Sequence, residues 1–129
     1  AKQARAAAYA PYSGFLVGAA LLCADGTVYT GCNIENAAFS PTNCAERTAF
    51  FKAVSEGVKE FEAIAIVGAP ADAAAENTFS DYAYPCGICR QVMQEFCKKD
   101  FGIIVAKSTE DYKKYTLQEL LPFGFGGLD

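Results

Sequence analysis

With 129 residues, 52% of them hydrophobic, and a formal net charge of −4, the chain is sized for one domain, residues 1–129, with a real core and no need of disulfides. Its Lys and Arg residues are scattered rather than clustered, which argues against a nucleic-acid groove. No charged-then-apolar leader and no run of about eighteen apolar residues supports export or membrane spanning, so a cytoplasmic protein is the default expectation. The chain opens on Ala1 with a helical pattern already running and no initiating Met, which leaves room for native residues ahead of it.

An Ala-rich helix is predicted to about Ala8, stopped by the Pro and Gly of Tyr9-Ala10-Pro11-Tyr12-Ser13-Gly14. Phe15–Cys23 reads as a strand, Asp25-Gly26 as a hairpin turn, and residues 27–33 as the returning antiparallel strand. A loop over residues 35–42 follows. Helical spacing then covers residues 43–55, with Asn43 as its cap and Gly57 beyond its end. Residues 61–67 form a short apolar strand, and the weakly patterned 68–77 stretch reads as a surface connection. Residues 86–97 form a helix behind Pro85, and Gly102–Ala106 is another buried strand. Such alternation is the pattern of a sheet with crossover helices. Thr116-Leu117-Gln118-Glu119 has capping-box spacing and starts a last short helix through Leu121, which Pro122 ends. The tail from Phe123 to Leu128 is too apolar to lie free in water without a reason.

The chemistry rests on cysteine. Six are present: Cys23, Cys32, Cys44, Cys86, Cys89 and Cys97. In a reducing compartment they point to metal or redox chemistry, or to packing, ahead of disulfides. Cys23, Cys32 and Cys97 have no motif partner and read as small core hydrophobes. Cys44-Ala45-Glu46 and Pro85-Cys86-Gly87-Ile88-Cys89 are different, because three thiolates can hold zinc and leave its fourth position open for water, as catalytic zinc sites do. Glu46 beside that position could carry protons. Both ligand groups fall at helix N-termini, where partial positive charge and unpaired N–H groups stabilise a thiolate. Cys86 and Cys89, three apart, share one helix face. Zinc with three thiolates is net −1, and Arg47 and Arg90, each directly after a motif residue, are expected to draw off part of that charge by donating to sulfur.

Other readings of these residues stay open at this level. Cys86 and Cys89 alone fit a thioredoxin-like redox dithiol equally well. Cys32 or Cys97 as a fourth ligand would close the site into a structural zinc module. Glu46 by itself reads as a first-turn carboxylate favoured by the helix dipole, and Arg47 as a surface charge.

The motif is the Cys₃ form of the zinc nucleobase-deaminase pattern H-x-E…P-C-x-x-C, in which the Glu is a general acid/base and not a metal ligand. Together with Tyr9-Ala10-Pro11-Tyr12-Ser13, Phe15-Leu16-Val17-Gly18-Ala19-Ala20, Gly31-Cys32-Asn33-Ile34-Glu35-Asn36-Ala37-Ala38-Phe39, Arg90-Gln91 and Glu119-Leu120-Leu121-Pro122, it resembles the small homotetrameric cytidine deaminases, in order, through nearly the whole chain. The resemblance implies an α/β fold, a three-layer α/β/α sandwich with a mixed five-stranded sheet. It also implies one Zn²⁺ per subunit on Cys44, Cys86 and Cys89, with Glu46 moving protons during hydrolytic deamination of cytidine and 2′-deoxycytidine in pyrimidine salvage. Phe15 would pack on the pyrimidine, the backbone of Ala45 would orient it, and Asn33 and Glu35 would hold the ribose hydroxyls. The last two could also be a polar strand end that caps itself. Phe39 and Phe125 would reach into a neighbouring subunit's site.

The chain departs from the common form of that family at Ile88, where Ala is frequent, at Tyr84, where Ser is usual, at Phe39, where Tyr is commoner, and in a long connection before Pro85. None of these is a proposed ligand, so they bear on the pocket rim. Blasticidin-type and nucleic-acid-editing deaminases are the nearest rivals. Asn33 and Glu35 favour a free nucleoside with an accessible ribose, and the acidic composition disfavours a polynucleotide.

Overall fold

The computed structural model describes residues 1–73 and 79–126. β1 (Phe15–Cys23) lies inside the sheet, and its apolar residues run without interruption because the strand is paired on both sides. At the hairpin, Gly26 takes φ +91 and the Asp25 carboxylate accepts from the Thr27 amide at 2.9 Å, so the turn is fixed by its own two residues. β2 (Val28–Cys32) returns antiparallel from Leu22↔Val28 to Gly18↔Cys32. On the other side β3 (Phe61–Pro70) runs antiparallel to β1, β4 (Gly102–Ala106) parallel to β3, and β5 (Tyr112–Thr116) antiparallel to β4. The order β2-β1-β3-β4-β5 is the mixed five-stranded sheet that was expected.

Alternation along the strands divides the core. Ala19, Leu21, Ile64, Ile66, Ile103 and Val105 are buried with Ala49, Phe50 and Ala53 of α2 (Ala45–Ser55) and Met93 of α3 (Gly87–Phe96). On the opposite face Val67, Ala69 and Phe79 form a smaller cluster beside α1 (Lys2–Arg5). Among the described residues this third layer is thin, a single helical turn laid on β1. Gly18 permits it, since a Cβ there would lie 2.6 Å from the Arg5 amide nitrogen. Gly31 does the same for α2, where a Cβ would lie 2.6 Å from the Ala49 nitrogen and closer still to the Ala45 carbonyl.

Several boundaries differ from the sequence expectations, each for a tertiary reason. α1 ends at Arg5 rather than near Ala8, because Tyr9 is drawn into a parallel bridge with Ile34. β3 continues past Val67 to Pro70, since Val17, Leu16 and Phe15 supply pairing partners for Gly68, Ala69 and Pro70. Only the later part of the predicted 68–77 connection remains: Ala71–Ala73 is a 3₁₀ turn, and residues 74–77 lie outside the described residues. Asn43 does not cap α2. Its amide and carbonyl exchange hydrogen bonds with Ile34, which holds it extended, and Cys44 becomes the cap. Likewise Cys86 and Cys97 flank α3 rather than belonging to it. The capping box of Thr116 and Glu119 forms and opens α4 (Leu117–Leu120). Of the apolar tail, residues 127 and 128 lie outside the described residues.

Candidate metal centre and its pocket

Cys44 and Cys86 are the N-cap residues of α2 and α3, both in extended backbone (ψ 158 and 170). The Cys86 sulfur accepts from the Cys89 amide at 3.5 Å across the first turn of α3, whereas Cys44 makes no side-chain cap bond and its sulfur meets Cys86 and Arg47 instead. The Sγ atoms of Cys44, Cys86 and Cys89 all lie within 4.8 Å of one another, with Cys44–Cys86 at 3.7 Å and Cys86–Cys89 at 3.4 Å. Sulfurs at the corners of a tetrahedron with zinc–sulfur bonds of about 2.3 Å stand about 3.8 Å apart. The three thiols are thus arranged to fit one zinc ion. All six cysteines are unpaired, and Cys23 is buried in the core, as its lack of a motif partner suggested.

The charges fit the same purpose. Hydrogen bonding from the Cys89 thiol and from Arg47 holds Cys44 down to about 5, while Cys89 is pushed up by the same sharing with Cys44 and by burial. A first thiolate forms readily at Cys44, and a second forms only when a cation repays the repulsion. The Arg47 Nη2 donates to the Cys44 sulfur at 3.5 Å, as expected of a residue that draws off ligand charge, and its buried Nε has no partner among the described residues. Arg90 is engaged elsewhere. Its Nε donates to the Pro85 carbonyl at 2.8 Å and its Nη1 to the Leu120 carbonyl at 2.7 Å, which ties the start of α3 to α4.

Glu46 sits one residue inside α2, 4% exposed, and burial pushes its carboxyl up to about 7. A carboxyl poised there can both take and give a proton near neutral pH. It opens on a pocket of about 270 Å³ lined by Phe15, Val17, Asn33, Glu35, Ala45 and Cys86 among others. Thr42, Asn43, Ala83 and Tyr84 complete its rim. A larger cavity of about 710 Å³ lies on the far face of the sheet against Val67 and Phe79, and it holds none of the three thiols.

The proposed ribose contacts have partners of their own. The Asn33 Nδ2 donates to the Phe15 carbonyl at 2.8 Å and its Oδ1 accepts from the Val17 amide at 2.9 Å, so its side chain extends the β2 edge along β1. The Glu35 carboxylate accepts from the Tyr12 and Ser13 amides and the Ser13 hydroxyl, which lower its pKa. Each still has capacity to spare, Asn33 one N–H and Glu35 further lone pairs. Phe39 is 99% exposed beside Tyr12 and Glu35, and Phe125 is 85% exposed with its carbonyl held by the Gln91 side chain at 2.8 Å. Neither lines the pocket of its own chain. Val17 and Ala83 were not anticipated. Strand alternation from Phe15 could have found Val17; Ala83 carries no such signal.

A family model described as the cytidine and deoxycytidylate deaminase zinc-binding region matches residues 1–105. The chain belongs to this deaminase family. A cytidine deaminase of Sporosarcina psychrophila is 52% identical over 128 residues, 99% of this chain and 88% of that protein. The crystal structure of a cytidine deaminase from Burkholderia pseudomallei superposes with a TM-score of 0.84 at 45% identity, covering 97% of this chain and 93% of that one. A blasticidin-S deaminase of Bacillus cereus is 30% identical over 109 residues, 84% of this chain and 76% of that protein. The fold is thus the α/β cytidine-deaminase fold, and Zn²⁺ is the cofactor that this deaminase family and the Cys44, Cys86 and Cys89 cluster have in common.

Proposed function

We propose that residues 1–129 are a single catalytic domain that hydrolyses cytidine and 2′-deoxycytidine to uridine and 2′-deoxyuridine, releasing ammonia. The observation that carries this reading is the buried Glu46 carboxyl beside three converging thiols, in the lining of a pocket of about 270 Å³. When bound by Cys44, Cys86 and Cys89, zinc supplies the Lewis acidity that makes water a nucleophile near neutral pH. Glu46 accepts a proton from the attacking water and delivers it to N3 of the pyrimidine as the C4–O bond forms. It then takes the hydroxyl proton from C4 and gives it to the amino nitrogen. The C4–N bond breaks, ammonia departs, and the N3 proton stays with uridine. The Phe15 ring and the Ala45 backbone would orient the base, and the free valences of Asn33 and Glu35 would meet the ribose hydroxyls.

Arg47 is assigned the task of easing charge on the sulfurs, and Arg90 that of bracing the start of α3. Exposed Phe39, Phe123 and Phe125 support assembly into a homotetramer in which Phe39 and Phe125 complete neighbouring sites. A cytoplasmic place in pyrimidine salvage follows from a free-nucleoside substrate, and no described helix is long and apolar enough to cross a membrane. The test is loss of ultraviolet absorbance with cytidine, deoxycytidine, cytosine and a short single strand in parallel. Turnover of both nucleosides is expected; turnover of the free base or the strand alone would overturn the substrate assignment.

A further inference from the structure

Arg5 is an unusual residue to find inside. It is 3% exposed, and its partners are carbonyls rather than a carboxylate. Nε donates to the Leu16 carbonyl at 3.0 Å, and Nη2 to the Ala69 and Pro70 carbonyls at 2.9 and 2.6 Å. The guanidinium carbon stands 4.8 Å from the centre of the Phe79 ring. A buried cation is costly, and charge-assisted bonds to several acceptors together with an aromatic face are what offset it.

The three anchor points lie outside the pocket lining but close in sequence to residues that form it. Leu16 lies between Phe15 and Val17, and because strand side chains alternate, a bond that fixes Leu16 from the far face fixes the two pocket residues on the near one. Ala69 and Pro70 follow Gly68, which the Phe15 ring covers so closely that a Cβ would lie 2.8 Å from its Cε2 and 2.9 Å from the Ala83 Cβ. Phe79 begins the segment that runs through Ala83 and Tyr84 at the pocket to Pro85 and Cys86. One guanidinium therefore spans the start of β1, the end of β3 and the segment that supplies Ala83 and Tyr84 to the pocket.

Resting on the deaminase reading above, we infer that Arg5 is a positioning residue for substrate: through Leu16, Ala69, Pro70 and Phe79 it sets the gap between the Phe15 ring and the Ala83–Tyr84 wall in which the pyrimidine is gripped. Its partners among the described residues include neither the three thiols nor Glu46, so its loss should act on binding rather than on the chemical step. Arg5→Met keeps length and removes the fork. Its KM for cytidine should rise at least tenfold, the Kd for uridine should rise by the same factor, and kcat per bound zinc should stay within threefold. Arg5→Lys, which keeps the charge with one nitrogen, should fall between the two, and Phe79→Leu should shift KM the same way by less. A purely structural role predicts a different result, with KM and uridine Kd unchanged and only the rate per total protein falling in step with the folded, zinc-loaded fraction. That result would overturn the inference. If Arg5→Met does not fold, Arg5→Lys and Phe79→Leu decide by the same criterion. Wild-type protein that fails to deaminate cytidine would refute the deaminase reading instead, and uridine binding to the variants would still report on the grip.

Discussion

Replacing Glu46 with Gln removes a proton carrier and a buried charge together, and the two losses pull in opposite directions. The carboxyl is 4% exposed and is pushed by burial from 4.5 up to about 7. Zinc-free folded protein therefore binds this proton more tightly than the unfolded chain does. Stability from this group is full below pH 4.5 and is lost as the pH rises through about 7. At about 1.4 kcal/mol per pH unit the loss comes to about 3 kcal/mol. Gln has no charge to desolvate, so above neutrality the zinc-free Glu46→Gln protein should be the more stable by up to that amount, and the advantage should vanish towards pH 4.5. Cys44 titrates in the same window, and the charge on Glu46 itself pushes Cys89 up, so the difference between the two curves reports the carboxyl together with its coupling to these thiols. Urea unfolding of reduced, zinc-free protein at fixed concentration measures the difference. Zinc-loaded Glu46→Gln should meanwhile keep its metal and lose at least about 10²-fold in deamination. Parallel stability curves, or near-normal turnover, would refute the role assigned to this carboxyl.

Arg47→Met removes the donor that lies 3.5 Å from the Cys44 sulfur; activity or zinc affinity should drop about 10–100-fold with little change in thermal midpoint, and unchanged turnover would contradict it. Chelation should abolish activity and added zinc restore it. Zinc binding at neutral pH should release at least the Cys89 proton, so affinity measured by competition should rise with pH, and a flat profile would count against the thiolate assignment. Gly31→Ala puts a methyl against Ala45 and Ala49 at the start of α2. It should cost about 1–3 kcal/mol in unfolding experiments and weaken zinc retention through the displaced Cys44; normal values for both would show that α2 is free to move.

What the sequence made legible were features whose cause is local. β1 and β4 were bounded correctly because their apolar runs end at turn residues, and the capping box at Thr116 and Glu119 announced α4. The metal ligands were legible because a motif fixes them by spacing. β5 was not placed from its residues: it is an edge strand whose Lys113 and Lys114 face solvent, so Tyr112-Lys113-Lys114-Tyr115 carries no alternating pattern. Asn43 looked like a helix cap and is a bridge residue, because Ile34, nine positions earlier, pairs with it. Arg5 carries no local sequence signal that sets it apart on the Ala-rich helix. Its burial comes from β1, β3 and Phe79, which arrive from 11 to 65 positions away in the case of the carbonyls it binds.

The central claim is an open zinc site on Cys44, Cys86 and Cys89 served by Glu46, and the X-ray absorption spectrum of zinc in the native protein tests it most directly. Three sulfur neighbours at about 2.3 Å and one oxygen or nitrogen neighbour are expected. Four sulfurs, with Cys32 or Cys97 completing a closed set, would contradict it.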